Sequence, residues 1–164
     1  MKENVKVKVR EILDNYLESC NHRKTPERYA ILDAVYGIGG HFSLEELGEK
    51  MESESNFRVS RATLYNTMRL FIELRLVIRH RFQGGTKYEA CFDNEDHCHQ
   101  ICTVCGKVTE VSSPVITKAI NETKLKRFRK DGFTLYIYGV CSSCQSKITR
   151  RRMAEEKERI KKSK

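Results

Sequence analysis

No stretch of the 164 residues is long and apolar enough to span a membrane, and the opening MKENVKVKVREILDNYLES lacks the uninterrupted apolar run of a signal peptide. The expectation is a cytoplasmic protein, in a compartment whose glutathione keeps thiols reduced. There, paired cysteines favour metal over disulfide. Proline is nearly absent, and both copies, Pro26 and Pro114, fall where helical patterns begin. What is present is the composition of a soluble folded chain, 39% hydrophobic and 32% charged. A formal charge of +9 and a pI near 9.3 point to a polyanionic partner, although charge alone does not separate DNA from RNA or an anionic membrane. The charge is uneven: Gln145 to Lys164 holds nine Lys or Arg against three Glu, +6 of the +9. Such a run reads as a solvated helical tail or as a second nucleic-acid contact.

Four of the seven cysteines form two pairs, Cys102-Thr-Val-Cys105 and Cys141-Ser-Ser-Cys144. Two such pairs can give four thiolates to one tetrahedral zinc, and a closed four-sulfur site is normally structural. The 35 residues between the pairs exceed the spacing of a simple zinc ribbon. Zinc would therefore tie the first strand of a module to its C-terminal end. Just before the first pair, His97-Cys98-His99 suggests a second metal position of another kind.

The first half reads as helices followed by a hairpin. Val5, Val9, Ile12, Leu13, Tyr16 and Leu17 keep helical spacing until Asn21 to Lys24 break it. Thr25-Pro26-Glu27 opens a second helix and Gly37-Ile38-Gly39-Gly40 ends it. Ser43-Leu44-Glu45-Glu46 has capping-box spacing, and Ser60 caps a fourth helix. On that helix Leu64, Met68, Phe71 and Ile72 make an apolar face, while Ala62, Tyr65, Asn66 and Arg69 make the opposite one. Leu76 to Phe82 and Thr86 to Cys91 are extended runs around Gln83-Gly84-Gly85, a β-hairpin. Helices followed by such a wing form a winged helix-turn-helix, which lays its last helix in a major groove. Tyr65 can contact a thymine methyl or a phosphate, Asn66 can read adenine, and Arg69 can reach phosphate or guanine.

The second half reads as a separate module in the order β, β, α, β. Strands are expected at Gln100 to Cys102, Val108 to Val111 and Phe133 to Tyr138, with an amphipathic helix from Pro114 to Lys130. One small sheet leaves edges that dimerisation could cover by continuing the sheet across two chains.

Six blocks of residues, in order, are those of a known family. They are Arg23-Lys-Thr-Pro-Glu-Arg28, Gly40-His-Phe-Ser-Leu-Glu-Glu-Leu47, Ser60-Arg-Ala-Thr-Leu-Tyr65, Arg79-His-Arg-Phe-Gln-Gly-Gly85, His97 to Glu110 and Tyr136 to Cys144. In these blocks the chain resembles the ferric uptake regulators, bacterial metal-sensing repressors that bind DNA as dimers. The resemblance runs roughly from Arg23 to Cys144. It implies an α+β fold in which an N-terminal winged helix-turn-helix DNA-binding domain precedes a small α/β dimerisation domain with a structural zinc site. The corresponding segments are 1–88 for the DNA-binding domain, 89–99 for a hinge and metal-sensing segment, 100–145 for the dimerisation and zinc domain, and 146–164 for a basic helical tail.

The resemblance places structural zinc on Cys102, Cys105, Cys141 and Cys144, and a regulatory metal on His41, Glu89, His97, His99 and Glu110. His80 and Cys91 are the alternative ligands, because a cysteine near this point resembles the zinc-sensing branch. Mixed nitrogen and oxygen ligation suits Fe2+, with Mn2+ and Zn2+ as alternatives. The implied DNA contacts are Arg23, Arg28, Arg61, Tyr65, Asn66 and Arg69. The chain departs from the family in three places. Asn66 stands where relatives often carry arginine, and the basic tail is unlike the His-rich or acidic ends common elsewhere. Phe133, which cannot ligate a metal, occupies a position of a further site found in many relatives.

The implied function is an iron-responsive, homodimeric repressor of metal-uptake genes acting on double-stranded DNA, with a zinc-responsive repressor as the alternative. An unrelated reading is a zinc-dependent deaminase-like enzyme. That chemistry places His-x-Glu before Pro-Cys-x-x-Cys and keeps one zinc position open to water. Here His99 follows Cys98, no proline precedes Cys102, and a second cysteine pair would close the site.

Overall fold

The computed structural model describes residues 2–55, 57–91, 98–130 and 132–162. The chain divides into two compact units, Met1–Asn94 and Glu95–Lys164. Among the described residues no helix is long and apolar enough to cross a membrane.

The first unit contains α1 (Lys2–Ser19), α2 (Pro26–Ile38), α3 (Leu44–Ser55) and α4 (Arg61–Glu73), then a hairpin of β1 (Val77–Phe82) and β2 (Gly85–Ala90). The helical periodicities bury Val9, Leu13 and Leu17 of α1, Ile31, Leu32 and Val35 of α2, and Leu64, Met68 and Phe71 of α4 in one apolar core. Both cap signals are realised. The Ser60 hydroxyl accepts the Thr63 N–H at 3.0 Å. The Ser43 N–H donates to Glu46 Oε2 at 2.5 Å, while the Glu46 N–H donates to the Ser43 hydroxyl at 3.2 Å. Thr25 has the extended backbone of a cap but makes no side-chain capping bond.

The turn from α4 into the wing is a Schellman cap. Leu76 N–H reaches the Phe71 carbonyl at 2.8 Å and Arg75 N–H the Ile72 carbonyl at 3.1 Å. Arg75 sits at φ 57°, where glycine is usual, and so holds a left-handed conformation with a side chain.

The second unit contains β3 (Cys98–Cys102), β4 (Val108–Val111), α5 (Pro114–Glu122), β5 (Leu135–Gly139) and α6 (Ser142–Lys162). The sheet order is β4-β3-β5, with β3 antiparallel to β4 and parallel to β5. A parallel pair needs a crossover, and β4 with α5 supplies it. The helix expected to reach Lys130 ends at Glu122. There Lys130 folds back, its Nζ donating to the Ile120 carbonyl at 3.1 Å and to Asn121 Oδ1 at 2.6 Å. That side chain satisfies a carbonyl left open at the helix end. Arg127, at φ 52°, keeps the connecting segment from resuming the helix.

Candidate metal centres and nucleic-acid face

The two cysteine pairs meet because β3 and β5 are parallel and in register, Cys102 opposite Gly139. Cys102 ends β3 and Cys105 lies in the turn that follows. That turn is closed by Gly106 N–H to the Cys102 carbonyl at 2.8 Å and Cys102 N–H to the Lys107 carbonyl at 2.9 Å. Gly106 takes φ 72°, which a side chain would strain. Thr103 ties this turn to the end of β5 through the Gly139 carbonyl, with its N–H at 2.8 Å and its hydroxyl at 3.2 Å. Cys141 follows β5 and Cys144 lies in the first turn of α6, so both pairs stand at the same end of the sheet.

The four sulfurs lie within 4.8 Å of one another, and Cys105 Sγ is 3.8 Å from Cys141 Sγ. With Zn–S bonds of about 2.3 Å, the edge of a sulfur tetrahedron is about 3.8 Å, so the donor set fits tetrahedral zinc. The Cys141 N–H donates to Cys102 Sγ at 3.3 Å and, with further amides of the turn, lowers the Cys102 thiol to about 6. Cys144 is pushed up to about 12, first by its hydrogen bonds with Cys141 and Cys105. One thiolate is stabilised by backbone dipoles and another is suppressed by its neighbours, so four thiolates together require a cation. A four-sulfur cluster leaves no coordination position open, which removes the site that a zinc enzyme would need.

A second donor cluster lies inside the first unit. Gly39 and Gly40, at φ 70° and 57°, turn the chain out of α2. Phe42 then forms an isolated bridge with Tyr88 of β2, with N–H to carbonyl distances of 2.9 and 2.7 Å in the two directions. The bridge sets His41 beside Glu89, the residue after Tyr88. His80 of β1 lies diagonally across the hairpin from Glu89, on the same face. His80 Nε2 is 3.0 Å and His41 Nε2 3.5 Å from Glu89 Oε2. His80 and Glu89 are buried, at 0% and 3% exposed. Phe82 stacks on His80 at 5.3 Å and meets the His41 ring edge-on at 5.4 Å, walling the cluster with apolar surface. Two imidazoles and a carboxylate around one point are a nitrogen and oxygen donor set for a divalent transition metal.

The other expected regulatory residues belong to the second unit or to the segment before it. His99 is buried on β3 beside the Tyr136 ring, 5.6 Å between centroids, and stands directly opposite Glu110 of β4, which is exposed. Cys91, partly buried just after β2, is not one of the clustered donors. His97 lies outside the described residues. His80, an alternative ligand by the resemblance, lies closer to Glu89 than His41 does. The signal was its place in the alternation Ile78, His80, Phe82, which shares a face with Glu89.

On α4 the polar face is exposed as its spacing requires, with Ala62, Tyr65, Asn66 and Arg69 in solvent and Leu64, Thr67, Met68 and Phe71 buried beneath. Arg61 is exposed and donates to Glu45 Oε1 of α3 at 2.8 Å. In the first turn of α2, Arg28 Nη1 donates back to the Arg23 carbonyl at 2.6 Å, which positions both arginines. Sequence reasoning missed one contact: Glu46, beyond capping α3, accepts Lys87 Nζ of the wing at 2.8 Å and so joins α3 to the hairpin. The Lys87 bond and the Ser43 backbone bond lower the Glu46 pKa.

The family model described as "Ferric uptake regulator family" matches residues 19–138. The ferric uptake regulation protein of Campylobacter upsaliensis is 33% identical over 129 residues, covering 75% of this chain and 80% of that one. The peroxide operon regulator of Bacillus subtilis is 30% identical over 132 residues, covering 80% and 90%. Among solved structures, the Vibrio cholerae ferric uptake regulator superposes with a TM-score of 0.56 at 30% identity, over 78% of this chain and 98% of that one. A winged helical unit, a four-sulfur module and a match of this extent together make the chain a member of the ferric uptake regulator family of metal-responsive transcriptional regulators.

Proposed function

We propose that the chain is a homodimeric, cytoplasmic repressor whose affinity for a double-stranded DNA operator rises when Fe2+ binds the donors of the first unit. The single observation that carries this reading is the cluster of His41 with the buried His80 and Glu89, built on the wing and on the loop after α2. A metal held there acts on the same unit that carries the exposed face of α4. By the resemblance, His97, His99 and Glu110 supply the remaining donors from beyond the hinge. Metal then favours one arrangement of the chain by its differential affinity, and that arrangement sets how two recognition helices meet successive half-sites. Zinc on Cys102, Cys105, Cys141 and Cys144 is the permanent structural ion. Nitrogen and oxygen donors without thiolate favour iron, with manganese next, and Cys91 standing outside the cluster weakens the zinc-responsive alternative.

The test is to purify the protein, assay the zinc it retains, and titrate Fe2+, Mn2+ and Zn2+ into a DNA-binding assay at stated salt. Wild type is expected to gain affinity most with Fe2+. His80→Ala should keep the retained zinc and lose the response by more than the roughly 10–100-fold that loss of an outer partner costs. An undiminished response in His80→Ala would remove the cluster from sensing, and a response to Zn2+ alone would reassign the metal.

A further inference from the structure

The helix α6 has almost no core of its own to rest on. Every residue from Gln145 to Ile160 is exposed, while Cys144 anchors its first turn in the sulfur cluster. Apart from Ile148, Met153 and Ile160 it is polar, and a polar exposed helix persists through i,i+4 pairs or by bridging other bodies. Arg151 Nε to Glu155 Oε1 at 2.8 Å is one such pair. With 3.6 residues per turn, Lys147, Arg150 and Lys157 fall in one row with Ala154 between them; Glu155 and Glu156 fall off it, and Glu158 flanks its edge beside Lys147 and Ala154. The row covers about 15 Å of helix, against duplex DNA with one charge per roughly 1.7 Å of axis.

A second copy of the helix is the poorer occupant. Met153 and Ile160 recur seven apart, but Glu156 and Lys157 fill the positions between them where a coiled coil needs its second apolar residue. The occupant that the charge selects is a polyanion, and the DNA-binding reading above, on which this inference rests, supplies one.

We propose that α6 is a sequence-independent clamp for duplex DNA, holding the phosphate backbone through Lys147, Arg150 and Lys157 beyond the contact made by α4. Phosphate contacts add affinity and salt dependence without base preference. The clamp therefore raises affinity for operator and non-operator duplex by the same factor.

The experiment compares full-length wild type with K147Q/R150Q/K157Q, glutamine being a comparable helix former. Affinities for an operator fragment and for a scrambled duplex are measured over a salt series. Each lost phosphate contact lowers the slope of log K against log salt by about 0.9, so the triple variant should lose about 2.7 for each tail engaged. The same loss is expected on both duplexes, with the ratio of their affinities kept. If the triple substitution melts the helix by circular dichroism, Arg150→Gln alone should lose about 0.9. An unchanged slope overturns the clamp. So does an unchanged duplex slope with weakened binding to phosphatidylserine vesicles, which would make the partner a membrane. Failure of wild type to respond to metal overturns the regulator reading instead, and leaves the scrambled-duplex result to decide the clamp by itself.

Discussion

The first unit buries Leu13, Leu17, Ile31, Leu32, Val35, Phe71 and eight further apolar side chains with Tyr88 around four helices and a hairpin. Among the described residues of the second unit the buried apolar ones are Cys98, Ile101, Cys102 and Cys144, so Ile101 is the one aliphatic side chain among them. At about 1.5–3 kcal/mol for each buried large side chain, the first core is self-sufficient and the second is not. A structural zinc is worth about 10–16 kcal/mol in small metal-folded domains, several times what Ile101 contributes. On the proposed reading the two units are stabilised by different physics: one by area removed from water, the other by an ion held at the four cysteines.

Removing the ion should break this comparison most sharply. Cys102→Ser is expected to lose zinc, amide protection in β3 and β5, and the dimer together, while amides of α2 and α4 stay protected. Hydrogen exchange with a zinc assay reads this, and a protected β3 without zinc would show that the second unit holds by other means. The converse experiment is Phe71→Ala in the first core, with an expected cost of about 3–5 kcal/mol in denaturant unfolding of that unit and no change in zinc content. Zinc loss in Phe71→Ala would mean that the units are not separately stabilised.

Two smaller changes sharpen the contrast inside the first unit. Tyr65→Ala removes an exposed side chain from the polar face of α4, so stability should hold while operator affinity falls by roughly tenfold, the scale of one good contact at about 1–3 kcal/mol. Unchanged affinity would take Tyr65 out of the interface. Asp14→Asn tests the surface of the same unit. The Tyr29 hydroxyl, more than Lys24, holds the Asp14 pKa below its ordinary 3.8. Its stabilisation is therefore present above that value and disappears as pH falls through the lower folded pKa. Because Asp14 is 37% exposed, the effect should stay below about 1 kcal/mol. Unfolding followed from neutral pH into acid should show the variant's deficit intact above 3.8 and shrinking below it, and a deficit that grows with acid would reverse the sign.

Much of the fold was legible because it rests on local chemistry. The Ser43–Glu46 box, the Ser60 cap and the apolar stripe of α4 depend on residues three or four apart. The end of α5 was not legible, because it depends on Lys130 folding back across ten residues to a carbonyl that the sequence does not advertise. Of the candidate sites, the four cysteines could be grouped by spacing and donor type. The nitrogen and oxygen cluster was legible only in part: His41 and Glu89 came from the resemblance, and His80 was placed second because strand alternation shows its face but not its neighbour.

By itself the sequence determined the residue types available for each kind of metal, the helical periods and their caps, and the crowding of positive charge at the C-terminal end. All of these follow from composition or short spacing. Tertiary structure decided which distant groups meet. The parallel register of β3 with β5 gathers four sulfurs separated by a whole crossover. The Phe42–Tyr88 bridge carries His41 to a hairpin far along the chain. The reason is that long-range pairing is fixed by how buried faces pack and how backbone hydrogen bonds are satisfied, and neither quantity belongs to any short window of residues.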